Sequence, residues 1–228
     1  MPQQFLQVLQ RQTPGQMNNG IVEFKNEAKN ITEYFSELNY QEDIHGSPAI
    51  VGELLLKDVT GDLIDSYSIK IVATNNYPYR FPWVYETGKR IPISIDWHVF
   101  PDGHCCVKAI PEELLICKKG ITLPGFIKEQ VIPYFFNQKY REQHGFFLHE
   151  RAHGEFGNIE FFKELFNTSD LNVIQKFLSI AKSRKELKGE DKCICGSSKK
   201  YKKCHRREFR KITLYSQDEL DYFNSWFH

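Results

Sequence analysis

A chain of 228 residues, 41% hydrophobic and 26% charged, has globular proportions, with room for one ordinary domain plus an appendage or for two small domains. Those proportions exclude collagen-like, coiled-coil and wholly disordered readings, and eighteen Phe, eleven Tyr and three Trp supply the bulk of a sizeable core. The net charge of +1 hides a segregation, because Lys182 to Lys211 holds thirteen Lys/Arg against four Asp/Glu, a local +9 set against −8 for the rest.

Residues 1–17, Gln-rich and carrying Pro14-Gly15, are expected to form a loose N-terminal arm. Ile21, Phe24, Ala28, Ile31, Phe35 and Leu38 then recur at spacings of three and four, which predicts one apolar helix face. After the breaker His45-Gly46-Ser47-Pro48, two β-like runs, Ala49 to Leu56 and Ser66 to Thr74, flank the turn Thr60-Gly61-Asp62 and predict a meander. Tyr77 to Thr87 holds two prolines, with Trp83-Val84-Tyr85 as a short strand after them, and Pro92 to Pro111 is expected to be mostly loop. A helical stretch opens at Leu123-Pro124, with a kink or break at Pro133, and the helical signal continues through Phe161 to Phe166 and Leu171 to Ile180. Lys182 to Lys192 reads as a charged linker, leading to a cysteine cluster and an aromatic tail that is expected to pack back on the body. Helix, then strands, then helices predicts an α+β fold. No window carries the roughly 18 consecutive apolar residues of a membrane span. The start Met1-Pro2-Gln3-Gln4 lacks a signal-peptide pattern, so a cytoplasmic protein without a membrane partner is expected.

The six cysteines are not spaced as a secreted disulfide framework: Cys193, Cys195 and Cys204 crowd one stretch with His205, Cys105 and Cys106 are adjacent, and Cys117 stands amid Leu114-Leu115-Ile116 as a core residue. Around Asp96-Trp97-His98 and Asp102-Gly103-His104-Cys105-Cys106, a thiol follows a glycine turn with His98 and His104 near enough in sequence to assist it. On composition alone the reading of the two cysteines as small buried hydrophobes is the favoured one.

The helix, the meander, Tyr77-Pro78-Tyr79-Arg80-Phe81-Pro82-Trp83-Val84 and a Gly-x-x-Cys site resemble the ubiquitin-conjugating-enzyme (UBC) fold over residues 18–165. The resemblance implies that Cys106, three residues after Gly103, is the nucleophile, and that Cys105 takes the position of an aliphatic neighbour. Eukaryotic members carry an Asn eight residues before the cysteine that supports the oxyanion, where this chain has His98. Imidazole is able to donate to an oxyanion or simply to pin the loop. The substitution is similar to the bacterial UBC-like proteins encoded beside cGAS-like nucleotidyltransferases in anti-phage CBASS operons. That likeness implies a thioester with the C-terminus of the nucleotidyltransferase, passed on to an amine of an acceptor protein.

In Cys193-x-Cys195 followed, after eight intervening residues, by Cys204-His205, four soft or borderline ligands stand at a spacing suited to tetrahedral Zn²⁺, and the stretch resembles the SEC-C motif. Four protein ligands imply a structural ion with no open position. The expected organisation is therefore an arm at 1–17, a UBC-like domain at 18–165, a helical extension and linker at 166–190, a modular zinc appendage at 191–206 and a tail at 207–228. Its lysine-rich surface suits docking to a partner or to nucleic acid, a solvated basic face being the commoner outcome.

His149-Glu150-Arg151-Ala152-His153 also satisfies H-E-x-x-H, yet Gly145 and Gly154 bracket it and no third ligand stands out from Glu155, Glu160 and Glu164. Three functions follow: a thioester-forming conjugating enzyme, an inactive UBC-like scaffold that only binds, and, more remotely, a metallohydrolase.

Overall fold

The computed structural model describes residues 14–42, 47–185 and 187–227. In chain order these form α1 (Pro14–Ala28), β1 (Leu38–Glu42), β2 (Pro48–Lys57), β3 (Leu63–Val72), β4 (Trp83–Glu86), α2 (Ile110–Cys117), α3 (Leu123–Phe126), α4 (Ile132–His144), α5 (Gly154–Phe166), α6 (Leu171–Lys182), α7 (Arg206–Ile212) and α8 (Gln217–Asn224). The α+β expectation holds, with one four-stranded antiparallel sheet in the order β1-β2-β3-β4. Two compact units divide the chain, Gln12–Lys108 with Lys119–His153, and Ala109–Lys118 with Gly154–His228. The boundary anticipated after residue 165 therefore falls inside α5.

The sheet unit follows from period-two burial. In β3, Tyr67, Ile69 and Ile71 are buried and the residues between them are not, and their partners across the ladder include Leu54 and Ile50. Helix α1 packs on β2 and buries Phe24 and Ala28. It starts at Pro14, inside the expected arm, since a proline's missing N–H costs nothing in a first turn. Residues 1–13 of that arm and the breaker at His45-Gly46 lie outside the described residues. The helix ends sooner than the apolar spacing predicts: Ile31 sits in a 3-10 turn and Leu38 opens β1, a strand with no signal of its own in the sequence. Gly52 has φ +142, and a Cβ there would stand 2.0 Å from the Glu37 carbonyl oxygen, so only glycine lets β2 pass under the chain entering β1.

The kink or break expected at Pro133 is met by a wide turn just before it. Residues Ile127–Val131 form one π-helical stretch between α3 and α4, the Ile132 N–H reaches the Ile127 carbonyl, and the helical path continues past the proline. Arg90 ties this helix to the sheet by ion pairs with Asp65 and Glu142 at 2.7 Å each, its guanidinium lying 4.3 Å from the Tyr67 ring centre.

The second unit is helical with an aromatic core. Phe166 and Phe177 stack at 4.6 Å, Phe162 meets Phe223 at 5.4 Å and Tyr215 meets Phe223 at 4.8 Å, so the aromatic tail forms α8 and completes this core. Helix α2, absent from the sequence reading, is held by two buried polar groups: the Asn158 side-chain oxygen accepts the Ile110 N–H at 3.1 Å, and the Tyr215 hydroxyl donates to the Pro111 carbonyl at 2.7 Å. Cys117 is buried on α2, as expected.

Candidate functional site

Two clusters carry chemistry, one in each unit. In the sheet unit, Ser94 caps a 3-10 turn over Ile95–Trp97, and His98 closes it in the left-handed region at φ 52, ψ 40. The chain then makes a small hairpin. Gly103, at φ +88, donates its N–H to the Phe100 carbonyl, Val99 pairs with Cys105, and the Cys105 N–H reaches the Val84 carbonyl at 2.7 Å. The Cys106 N–H donates to the His98 carbonyl at 2.7 Å, so the eight-residue separation read in the sequence is the register of this hairpin.

One face of α4 holds the incoming arm. The Tyr134 hydroxyl donates to the His98 carbonyl at 3.0 Å, Gln138 Nε2 to the Trp97 carbonyl at 2.7 Å, and the Arg141 guanidinium to the Asp96 carbonyl. These residues stand at i, i+4 and i+7, on one helix stripe. Each takes one of three consecutive carbonyls of this turn, the His98 carbonyl being shared with the Cys106 N–H. Arg141 also covers the Trp97 and Phe147 rings at 4.3 Å and 4.6 Å. Sequence reasoning singled out none of Tyr134, Gln138 and Arg141, because no side-chain pattern marks a bond to main chain. Tyr134→Phe is expected to cost about 1–1.5 kcal/mol locally and to speed amide exchange of residues 96–106 about tenfold, measured by mass spectrometry.

The two adjacent thiols face different surroundings. Cys105 is 6% exposed and burial pushes its thiol up to about 12, which keeps it protonated at neutral pH. Cys106 is only partly buried, and no disulfide joins any of the six cysteines. The His98 ring lies 5.0 Å from Phe147 and 4.4 Å from His153. Burial, then the His153 and Arg141 charges, push it down to about 4, so it is neutral at pH 7. His104 is engaged within its own turn, Nδ1 standing 2.5 Å from Asp102 and the ring stacking on Phe100 at 4.2 Å.

His98 also sets a pH dependence. The unfolded chain takes up a proton near the ordinary pKa of about 6.5, whereas the folded state resists it until about pH 4. Stability is therefore full above pH 6.5 and falls as pH drops through that window, by at most about 3.5 kcal/mol. Urea unfolding at pH 7 and pH 4.5 is expected to show a smaller pH difference in His98→Asn than in the native chain.

The H-E-x-x-H stretch lies in irregular chain between α4 and α5, with His149 and Glu150 exposed. Asn137 pins this stretch by accepting the Leu148 N–H at 3.0 Å and donating to the His149 carbonyl at 3.0 Å. The helix that would align two histidines on one ion is not there. His153 goes instead to the His98 ring.

In the helical unit, the ligand atoms of Cys193, Cys195, Cys204 and His205 all lie within 4.8 Å of one another, and among the described residues this is the cluster able to hold a metal ion. Cys195 Sγ is 3.6 Å from Cys204 Sγ, and His205 Nδ1 is 3.4 Å from Cys193 Sγ and 3.2 Å from Cys204 Sγ. The edges of a tetrahedron around zinc are about 3.8 Å between sulfurs and about 3.6 Å from sulfur to nitrogen, so the donor set fits that ion. His205 Nε2 sits 2.8 Å from the Phe166 carbonyl, which fixes Nε2 as the protonated nitrogen and turns the Nδ1 lone pair to the sulfurs. A family model described as the SEC-C motif matches residues 191–207. Comparison with curated proteins and with solved structures returns no match.

The SEC-C segment is not the modular appendage that its charged linker suggests. Cys193 and Tyr201 are buried in the same cluster as Phe166, Phe177 and Phe209, and the His205 ring meets Phe177 at 5.2 Å. Among the described residues no helix is long and apolar enough to cross a membrane.

Proposed function

We propose that the chain is a UBC-like acyl carrier whose nucleophile is Cys106, with a structural zinc ion in its C-terminal unit. The observation that carries this reading is the division of labour between adjacent thiols: one buried and held protonated, the other partly exposed at the end of a hairpin fixed to α4. The order of features supports it too, since a leading helix, a four-stranded meander and a loop bearing the Gly-x-x-Cys site follow one another as the resemblance requires.

The Cys106 thiolate attacks the carbonyl carbon of an activated C-terminus, an adenylate or a thioester. The new C–S bond forms as the activating group leaves. An amine then attacks the same carbon, an amide forms, the thiolate departs, and the amine's extra proton passes to solvent. By the resemblance, the donor is the C-terminus of a cGAS-like nucleotidyltransferase in a bacterial anti-phage system, the acceptor is a protein amine, and the setting is cytoplasmic. His98 is neutral and retains one N–H, so it serves either the oxyanion or the loop. Its ring contacts with Phe147 and His153 favour the loop.

At the metal centre, Cys193, Cys195, Cys204 and His205 would hold zinc with every position filled by protein, and its role there is to organise the fold. The test of function is mass spectrometry of the chain co-produced with the donor. A dithiothreitol-labile adduct on the peptide carrying Cys106 supports the reading. Stable association without any adduct would leave a binding scaffold.

A further inference from the structure

We propose that the outward face of the helical unit beside the metal centre binds the sugar-phosphate backbone of nucleic acid. Helix α7 follows the ligand His205 directly and turns Phe209 and Ile212 into the core, 4% and 0% exposed. At 100° per residue, Arg206, Arg210, Arg207 and Lys211 then fall on one continuous arc of about 140°, opposite those two side chains. All four are exposed. They span about 7.5 Å of helix axis, the rise of about two phosphates of one strand. Lys199 and Lys203, also exposed, stand in the loop between Cys195 and Cys204.

None of these six cations makes an ion pair among the described residues, whereas Lys200 and Lys202 are both held by Glu190 and Lys182 by Asp221. A merely solvated helix face interleaves both signs. Here only Glu208, half-buried, interrupts α7, and four like charges share one arc at a cost in self-repulsion that a polyanion would offset. Two observations favour nucleic acid over an acidic protein. Within α7 itself no large hydrophobic side chain is exposed, Leu214 lying beyond its end, so the cationic arc has no apolar centre of its own. Three of the four helix cations are arginines, whose planar fork takes two phosphate oxygens at once. The ligands Cys204 and His205 lie between the loop lysines and the helix arginines, so the metal fixes both sets on one backbone.

The experiment is fluorescence anisotropy of the full chain, zinc-loaded, with labelled 20-nucleotide single-stranded RNA, single-stranded DNA and 20-base-pair duplex DNA. Four phosphate contacts on duplex predict a slope of about −3.6 in log K against log salt, or about a hundredfold loss between 50 and 200 mM. The double variant Arg206→Glu/Arg210→Glu is expected to weaken binding at least about thirtyfold and to flatten the slope by about two. Arg206→Gln/Arg210→Gln serves if that variant fails to fold. Lys182→Glu, which removes a cation already paired, is expected to change affinity less than about twofold. Preference for RNA, for DNA or for neither supports the assignment and names the source of the phosphates. Equal competition by polyglutamate of matched charge would move the surface to an acidic protein and overturn it. So would absence of binding to all three probes at 50 mM salt, or equal loss in Lys182→Glu.

Discussion

Cys106→Ala is expected to abolish the thiol-labile adduct, and Cys105→Ala to leave it intact. In an extended arm successive side chains point to opposite faces, so adjacent cysteines cannot share one environment. The pairing of Val99 with Cys105, and the Cys105 N–H bond to Val84, turn that residue into the sheet unit's interior. Its neighbour, bonded through its own N–H to His98, is left at the partly exposed position. Burial pushes the Cys105 thiol up to about 12, so at pH 7 it stays protonated and does not compete as a thiolate. Cys106→Ser is expected to exchange the labile thioester for a persistent oxyester or to lose the adduct, because serine is a weaker nucleophile and a poorer leaving group. Non-reducing gels with and without thiol measure all three variants. An adduct that survives Cys106→Ala and disappears in Cys105→Ala would reverse the assignment, and one indifferent to both would remove cysteine chemistry from the protein.

The parts of the fold that were legible in the sequence are those where side-chain periodicity and burial agree. Tyr67, Ile69 and Ile71 alternate because one face of β3 is buried, and α6 repeats its apolar residues because one stripe faces the aromatic core. Legibility failed where a tertiary contact overrides the local pattern. Leu38 continues a helical spacing from Ile31 and Phe35, yet its backbone is taken by β2, whose Gly52 makes the close approach possible. Helix α2 is short and apolar almost throughout, so its sequence has no amphipathic stripe; Asn158 and Tyr215, 48 and 104 residues away from their partners, hold its start. The metal residues were legible because their chemistry depends on spacing. The grip of Tyr134, Gln138 and Arg141 on three backbone carbonyls was not, since no pattern of side chains announces a bond to main chain. The charged linker misled in another way: it sets off the SEC-C segment in sequence, while Tyr201 and Phe209 join that segment to the core in space.

That joining changes what metal loss should do. Stripping the ion with a strong chelator, or substituting Cys204→Ser, is expected to loosen the whole helical unit rather than residues 191–206 alone. Cys193 is 4% exposed and would keep a buried thiol without its ion, and the His205 ring would lose the ligand bond that sets it against Phe177 and the Phe166 carbonyl. Phe166 and Phe177, stacked at 4.6 Å, are the joint between α5 and α6, so disorder at His205 reaches both helices. Structural zinc contributes on the order of 10 kcal/mol in small domains, comparable with a domain's entire stability. A fall of more than about 10 °C in the melting of this unit is therefore expected, with loss of the near-ultraviolet circular dichroism of its packed rings. Hydrogen exchange separates the alternatives. Protection lost across α5, α6 and α7 is the expected outcome, with the exchange of β2 and β3 as internal reference. Protection lost only between residues 187 and 206 would restore the modular reading, and protection unchanged after the metal is removed would take the ion out of the fold altogether.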